Sequence, residues 1–385
     1  MKTNRHFASF TRRFLMPLAP AVLLTSPFAS ADTLYFYGTS SNQNWFSQDN
    51  WYYSISREDP ADHLPGSEDT VILMTSPVLI GPNSVSVNTM IIEGVAVGGG
   101  DISVLTLRSE FVSGSPGTSF NDSTVHIQNE WDIYSGATLN NSTVDLDLGA
   151  FILLEPGSSS GNTDLSVNNS TIYNEGQIVL TDQSGITFAS GTNHFSILPN
   201  AVVSGSGNSY VINNGNAGSI VIFDNNGTVR ADAGTLSITL AGTVWTNSLG
   251  TGKYTTSATN AVLEFFNAFT LNAGNTNRFN GPGLIWFYNN VSGVVNGKFQ
   301  VGESNVVPGK VQFDGSFSGT GSVQVAGTTA LPSQLIWDNG TISGLPVNID
   351  AKSQLLVTNA STKTLSGGVI NNAGSTTWTN DTGNL

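Results

Sequence analysis

Asp145 and Asp147 stand two residues apart in the run Thr143, Val144, Asp145, Leu146, Asp147, where apolar and polar residues alternate. In a strand, that alternation sends both acids to one face, about 7 Å apart at a rise of roughly 3.3 Å per residue. Two carboxyls at such a separation suit an inverting glycosidase, with one acting as acid and the other as base. A short motif brings further groups alongside them. Asn121, Asp122, Ser123, Thr124, Val125 recurs as Asn140, Asn141, Ser142, Thr143, Val144 and as Asn168, Asn169, Ser170, Thr171, Ile172, at steps of 19 and 28. Aligned on it, Val125, Val144 and Ile172 point inward. His126, Asp145 and Tyr173 then form one outer column, and Gln128, Asp147 and Glu175 the next. The catalytic alternative therefore rests on Asp145, Asp147, His126 and Glu175, set against the default of polar residues on a solvated face.

A second concentration of chemistry is the charged stretch with Arg57, Glu58, Asp59, Asp62, His63, Glu68 and Asp69. Oxygens from Asp59, Asp62, Glu68 and Asp69 are weak candidates for holding a cation such as Ca²⁺. No EF-hand spacing supports them, and a solvated loop, with Trp45 and Trp51 packed over the end of the core, is the favoured reading. Other signatures are missing. No Gly-x-Ser-x-Gly elbow accompanies His63, His126 or His194, and the Gly-rich triplets lack the Lys-Ser/Thr of a phosphate loop. With no cysteine, disulfides and thiolate metal sites are excluded. No cofactor is expected. Arg108, Arg230, Lys253, Arg278 and Lys298 are dispersed along the sequence and outline no anion groove. Trp245, Trp286, Trp337 and Trp378 could stack sugars on an outer face or fill the core, and packing is the expectation.

The 385 residues carry 13 basic and 27 acidic side chains, only 10% are charged, and 42 are Gly. The acidic balance excludes a phosphate-tracking nucleic-acid binder. A hydrophobic fraction of 39% excludes disorder driven by charge. Residues 1–31 read as a signal peptide. Lys2, Arg5, Arg12 and Arg13 precede a mostly apolar stretch from Phe14 to Leu24, and Ala29, Ser30, Ala31 form a small-x-small cleavage site. Arg12 and Arg13 loosely fit a twin-arginine signal, although the ordinary Sec route is expected. Cleavage after Ala31 leaves 13 − 4 = 9 basic residues against 27 acidic, a net charge of −18. No other stretch is long and apolar enough to be a membrane-spanning helix.

The remaining sequence has one texture. Apolar or β-branched runs of four to eight residues, such as Thr70 to Met74, Ile178 to Thr181, Val262 to Phe266 and Leu284 to Tyr288, alternate with Gly, Asn, Ser and Thr. These are strands separated by turns. Self-similarity then favours winding over hairpins. Gly205 to Gly207, Gly281 to Gly283 and Gly319 to Gly321 are spaced by 76 and 38, multiples of 19; Asn226 to Val229 matches Asn372 to Thr376, and Leu284 to Trp286 matches Leu335 to Trp337. The expected fold is all-β, a parallel β-helix with coils of about 19–28 residues. Stacking would put like charge on like, which explains why charge is sparse.

Asn225 to Leu240 and Ile336 to Trp378, with Trp337, Asn339, Gly340, Thr341, Ile342, Ser343, Gly344 and Asn372, Ala373, Gly374, resemble the repeats of large secreted bacterial β-helix proteins of the autotransporter-passenger and filamentous-haemagglutinin-like adhesin type. The segment with Trp45, Asn50, Trp51, Leu64, Pro65, Gly66, Asp69 and Thr70 is similar to the opening that precedes such repeats. The resemblance implies a right-handed parallel β-helix displayed outside a Gram-negative cell, at the surface or in the medium. No C-terminal barrel or sorting signal is recognisable before Leu385, so an incomplete chain is expected. The organisation reads as signal peptide 1–31, aromatic capping segment and first coils 32–100, and β-solenoid repeats 101–385. The expected function is a non-enzymatic structural stalk or adhesin-like binding protein whose partners are carbohydrate or neighbouring cell surfaces. Alternatives are a polysaccharide-active lyase or hydrolase, and a self-assembling matrix subunit joined end to end.

Overall fold

The computed structural model describes residues 32–37, 47–65, 69–73, 89–92, 96–97, 101–102, 118–121, 124–127, 130–133, 136–155, 163–214, 219–241, 248–249, 251–288, 291–359 and 361–379. It is an all-β solenoid of about 9 turns built from parallel, stacked coils. Among the described residues from Thr118 onward, each turn contributes strand segments to three faces, exemplified by Thr143–Leu146 on a first face, Phe151–Leu154 on a second and Thr163–Asn168 on a third. The first face is a nine-stranded sheet, and a separate six-stranded sheet supplies the corresponding strands from Ser248 onward. The second and third faces share one 21-stranded sheet, because Val202–Asn214 and Thr228–Ala241 each run round the corner between them.

Alternation within each strand builds the core. Val144, Leu146, Ile152, Leu154, Leu165 and Val167 are all buried, while the residues between them are half-exposed. Rings accumulate further along. Phe279 stacks on Tyr254 at 5.2 Å and on Phe299 at 4.0 Å, and Phe313 on Phe317 at 3.9 Å. Such stacked pairs add about 0.5–1.5 kcal/mol each beyond their burial.

From Thr118 onward the register steps run from 19 to 28 residues, as between Thr118 and Ala137 and between Ala137 and Leu165. Variable steps require corners that absorb or omit residues without disturbing the strands. Asn does this at one corner. Asn168 Nδ2 donates to Asn140 Oδ1 and Asn169 Nδ2 to Asn141 Oδ1, both at 2.9 Å. Asn141 and Asn169 have φ of 50° and 47°, the left-handed region that Asn tolerates better than most residues. Glycine does it at another. A Cβ on Gly227 would lie 2.4 Å from the Ala201 carbonyl oxygen, so the turns approach there only without a side chain.

The motif alignment holds in register, whereas of the three other sequence matches only Gly205 with Gly281 shares a column. Val125 pairs with Val144 and Val144 with Ile172, as aligned. The 76-residue interval is instead three turns, since Gly205 pairs with Ala231 and the column continues past the Lys253–Arg278 strand pair to Gly281. Gly319 to Gly321 sits at a different corner, before Ser322–Val325 on the second face. Asn226 likewise precedes a second-face strand, while Asn372 ends one. Leu284 to Trp286 is one residue out of step with Leu335 to Trp337, because Ile285 pairs with Val311 and Val311 with Leu335. A slip of one residue exchanges inside for outside. Trp337 is therefore buried in the core, whereas Trp286 lies half-buried on the outer surface.

At the beginning of the described chain, Trp51 is fully buried and its ring meets Phe36 edge-on at 5.0 Å. Trp45, expected to pack beside it, lies outside the described residues. At the other end, Leu365 and Trp378 continue the core columns of Ile342 and Val357, yet are 43% and 71% exposed.

Candidate functional site

The acids expected from sequence fall on the first face. His126, Asp145 and Tyr173 are register partners in successive turns. Asp145 is half-exposed and Tyr173 exposed, while the His126 side chain lies outside what is described. Asp147 follows the strand at the corner, where its N–H donates to the Ile127 carbonyl at 3.0 Å. The Glu175 N–H donates to the Leu146 carbonyl at 2.8 Å, which sets Glu175 one turn along from Asp147. These groups form an open acidic edge. Gln128 lies outside the described residues.

A second acid pair occupies the second face. Glu130 and Asp132 flank the inward Trp131 on one strand, and Asp132 is only 6% exposed. Burial, with the Asp132 carboxylate next to it, raises the Glu130 carboxyl above its ordinary range. The alternating signal that singled out Asp145 and Asp147 is equally present here. The cations also converge more than the sequence suggested: Lys253 and Arg278 are register partners on this face, with Arg230 and Lys298 on neighbouring strands. Two of the four are neutralised, Arg230 by Asp232 at 2.6 Å and Arg278 by Glu303 at 3.4 Å.

The most developed surface lies on the third face, and it corrects the expectation that Trp286 packs in the core: Trp286 faces outward there. Strand alternation turns Glu264, Trp286 and Gln312 outward in one column, with the Trp286–Gln312 pairing fixing the register. Phe266, Tyr288 and Asp314 follow the same strands. The three rings stack as Phe266, Tyr288, Trp286, with centroids 4.1 and 3.9 Å apart. Polar groups border the stack. The Tyr288 hydroxyl donates to Glu264 Oε1 at 2.9 Å, and the Ser237 hydroxyl donates to Oε2 at 3.0 Å. The Trp286 indole N–H donates to Asp314 Oδ2 at 2.6 Å, and Gln312 Nε2 to Oδ1 at 3.0 Å. In the next turn, Asp338 accepts from the Thr358 hydroxyl at 2.6 Å and from Asn359 Nδ2 at 2.9 Å.

Burial pushes the Tyr288 phenol up to about 12, helped by its bond to Glu264, so it donates throughout the physiological range. Burial also raises the Asp314 carboxyl, against the opposing bonds from Gln312 and Trp286. The result is an aromatic ledge edged by carboxylate and amide groups, where apolar ring surface adjoins hydrogen-bonding groups. Sequence could have revealed it only through the register. Glu264, Trp286, Asp314 and Asp338 are separated by roughly a turn each and share no motif.

No protein-family model matches this chain, and no curated protein matches it in sequence. The resemblance to autotransporter and haemagglutinin-like repeats thus extends to the solenoid architecture alone.

The candidate cation ligands divide. Asp59 is exposed beside the segment and Glu68 lies outside the described residues. Asp69 is buried, with Oδ2 3.3 Å from His63 Nε2. Asp62 is exposed and lies 2.8 Å from His63 Nδ1, while Tyr53 donates its hydroxyl to the same Asp62 oxygen. Asp32 joins them: its N–H donates to Asp69 Oδ1 at 3.1 Å, and donor atoms of Asp32, His63 and Asp69 lie within 4.8 Å of one another. The neighbouring carboxylates, Asp62 foremost, raise the His63 imidazole above its ordinary value.

Proposed function

We propose that the chain is an exported, non-enzymatic β-solenoid of the cell surface or extracellular space, a rigid stalk that binds carbohydrate along its third face. The stacked ledge of Phe266, Tyr288 and Trp286, bordered by Glu264, Asp314 and Asp338, carries this reading. Sugar rings offer apolar C–H faces and hydroxyl rims, and the ledge presents the complement of both. Rigidity follows from the stack, in which each turn is held by its neighbours along a continuous backbone ladder. Several such rods on one surface would turn weak single contacts into avidity.

The test is a panel of immobilised neutral and acidic polysaccharides probed with the full chain, followed by assay for released products. Retention is expected on at least one glycan, weakened about tenfold or more in Trp286→Ala with the circular dichroism spectrum unchanged, and with no product formed. Turnover that disappears in Asp145→Asn or Glu130→Gln would replace the stalk by the polysaccharide-active enzyme. A self-assembling matrix subunit is the alternative reading. Light scattering showing a monomer at every concentration would remove it.

A further inference from the structure

We propose that Asp32, His63 and Asp69 bind a divalent first-row transition metal, of which Zn²⁺ is the probe, at the N-terminal end of the solenoid. The three donors come from separate segments that the fold brings together. Asp32 precedes the first strand, Thr33–Phe36; Asp69 precedes its parallel neighbour, Thr70–Leu73; and His63 sits on the loop between them. Register alone sets the two acids side by side, because Thr33 pairs with Thr70. The Thr70 N–H also donates to the Asp32 carbonyl at 2.9 Å, holding the pair in place.

The spacing of the three donors admits a small cation between them. In a tetrahedral site with bonds of about 2.0–2.1 Å, neighbouring donors stand roughly 3.3 Å apart. His63 Nε2 and Asp69 Oδ2 are separated by 3.3 Å, and the Asp32 donor lies within the 4.8 Å span of the trio. One imidazole nitrogen and two carboxylates make three protein ligands, leaving a fourth position for water or an external group.

The support around the histidine strengthens the assignment. Asp62 Oδ1 sits 2.8 Å from Nδ1, so an Nδ1–H donating to it leaves Nε2, beside Asp69, as the nitrogen that a metal would take once its proton is displaced. Tyr53 in turn anchors Asp62. A carboxylate on the far nitrogen of a histidine is the usual outer partner of a metal ligand, and losing it typically costs 10- to 100-fold in affinity. Three carboxylates around one imidazole also leave an excess of negative charge, even with the imidazole protonated. A divalent ion would offset that excess and replace the proton between Nε2 and Asp69. Nitrogen and oxygen donors with one imidazole favour zinc-like ions over Ca²⁺, which takes six to eight oxygens.

The test titrates ZnCl₂ into the full, chelator-stripped chain by calorimetry, with metal content measured after dialysis. One equivalent at micromolar affinity or tighter is expected, and Co²⁺ substitution should give the intense visible absorption of a four-coordinate ion. His63→Ala should weaken binding at least 100-fold, and Asp62→Asn, which removes no ligand, about 10-fold. Asp32→Asn, at a half-exposed residue, provides a ligand variant less prone to misfolding than one at buried Asp69. Circular dichroism and the unfolding midpoint of each metal-free variant separate lost ligation from lost fold. Binding below a tenth of an equivalent by the parent chain, or unchanged affinity in folded His63→Ala, would overturn the site.

Discussion

Replacing Phe299 by alanine tests the stacked core directly. The ring is fully buried on the second face, stacked on Phe279 at 4.0 Å and approached by Phe313 at 5.3 Å and Phe287 at 5.6 Å. Truncating a buried Phe costs about 3–5 kcal/mol through lost transfer energy and the cavity left behind. Losing the Phe279 stack adds roughly 0.5–1.5 kcal/mol. Relaxation is limited, because neighbouring rings are held by strands on both sides, so a total near the upper end, about 5 kcal/mol, is expected.

A solenoid should also confine that loss, since each turn touches only its neighbours. Hydrogen exchange followed by mass spectrometry would show faster exchange in residues 276–325 and little change in residues 163–205. Denaturant titration gives the total, and Phe299→Leu, which keeps most of the volume, should lose well under half of it. A cost below about 1.5 kcal/mol, or acceleration equally strong at both ends of the rod, would refute the stacked, quasi-linear description.

Three further predictions follow from corners and charges. Asn169→Val places a β-branched residue at φ 47° and removes the bond to Asn141, so a loss of about 2 kcal/mol in urea unfolding is expected, whereas Asn169→Gly should be far milder. Gly227→Ala drives a methyl to 2.4 Å from the Ala201 carbonyl oxygen and should cost about 1–3 kcal/mol; an unchanged midpoint would show that the corner has slack. Glu130, Asp164 and Asp314 are each held above the ordinary carboxylate range, in every case first by burial. The native chain therefore holds these protons more tightly than the unfolded one. Their contribution is complete below the ordinary carboxylate value and is lost as pH rises through the raised values, so the melting temperature should fall from about pH 4 towards neutrality. Asp314→Asn should flatten part of that slope, and a melting temperature that rises across the window would contradict the sign.

Much of the architecture was legible from local pattern. Residue alternation marked the strands, and the Asn-Ser-Thr motif gave the steps of 19 and 28 that the pairing of Val125, Val144 and Ile172 reproduces. Asn140 and Asn168 were readable as a ladder because identical residues at a corner stack amide on amide. Matches outside a strand's own register were misleading, since a corner can hold a variable number of residues and similar strings then recur on different faces. Leu284 to Trp286 and Leu335 to Trp337 look alike, yet differ by one step and so by inside and outside.

By itself, the sequence determined that the chain winds in parallel and that charge stays sparse, and it marked the inward side of those strands whose alternation is unbroken. Those features arise from alternation and stacking, which act between near neighbours in a repeating pattern. Only the tertiary structure decided which outward side chains share a column, because that depends on the summed lengths of every intervening corner. It placed Trp286 beside Asp314 and Tyr288 beside Glu264, and it brought His63 to Asp69 and Asp32. The first grouping has no motif, being assembled across turns by backbone register, and the second joins Asp32 by register to a charged stretch that the sequence had already singled out.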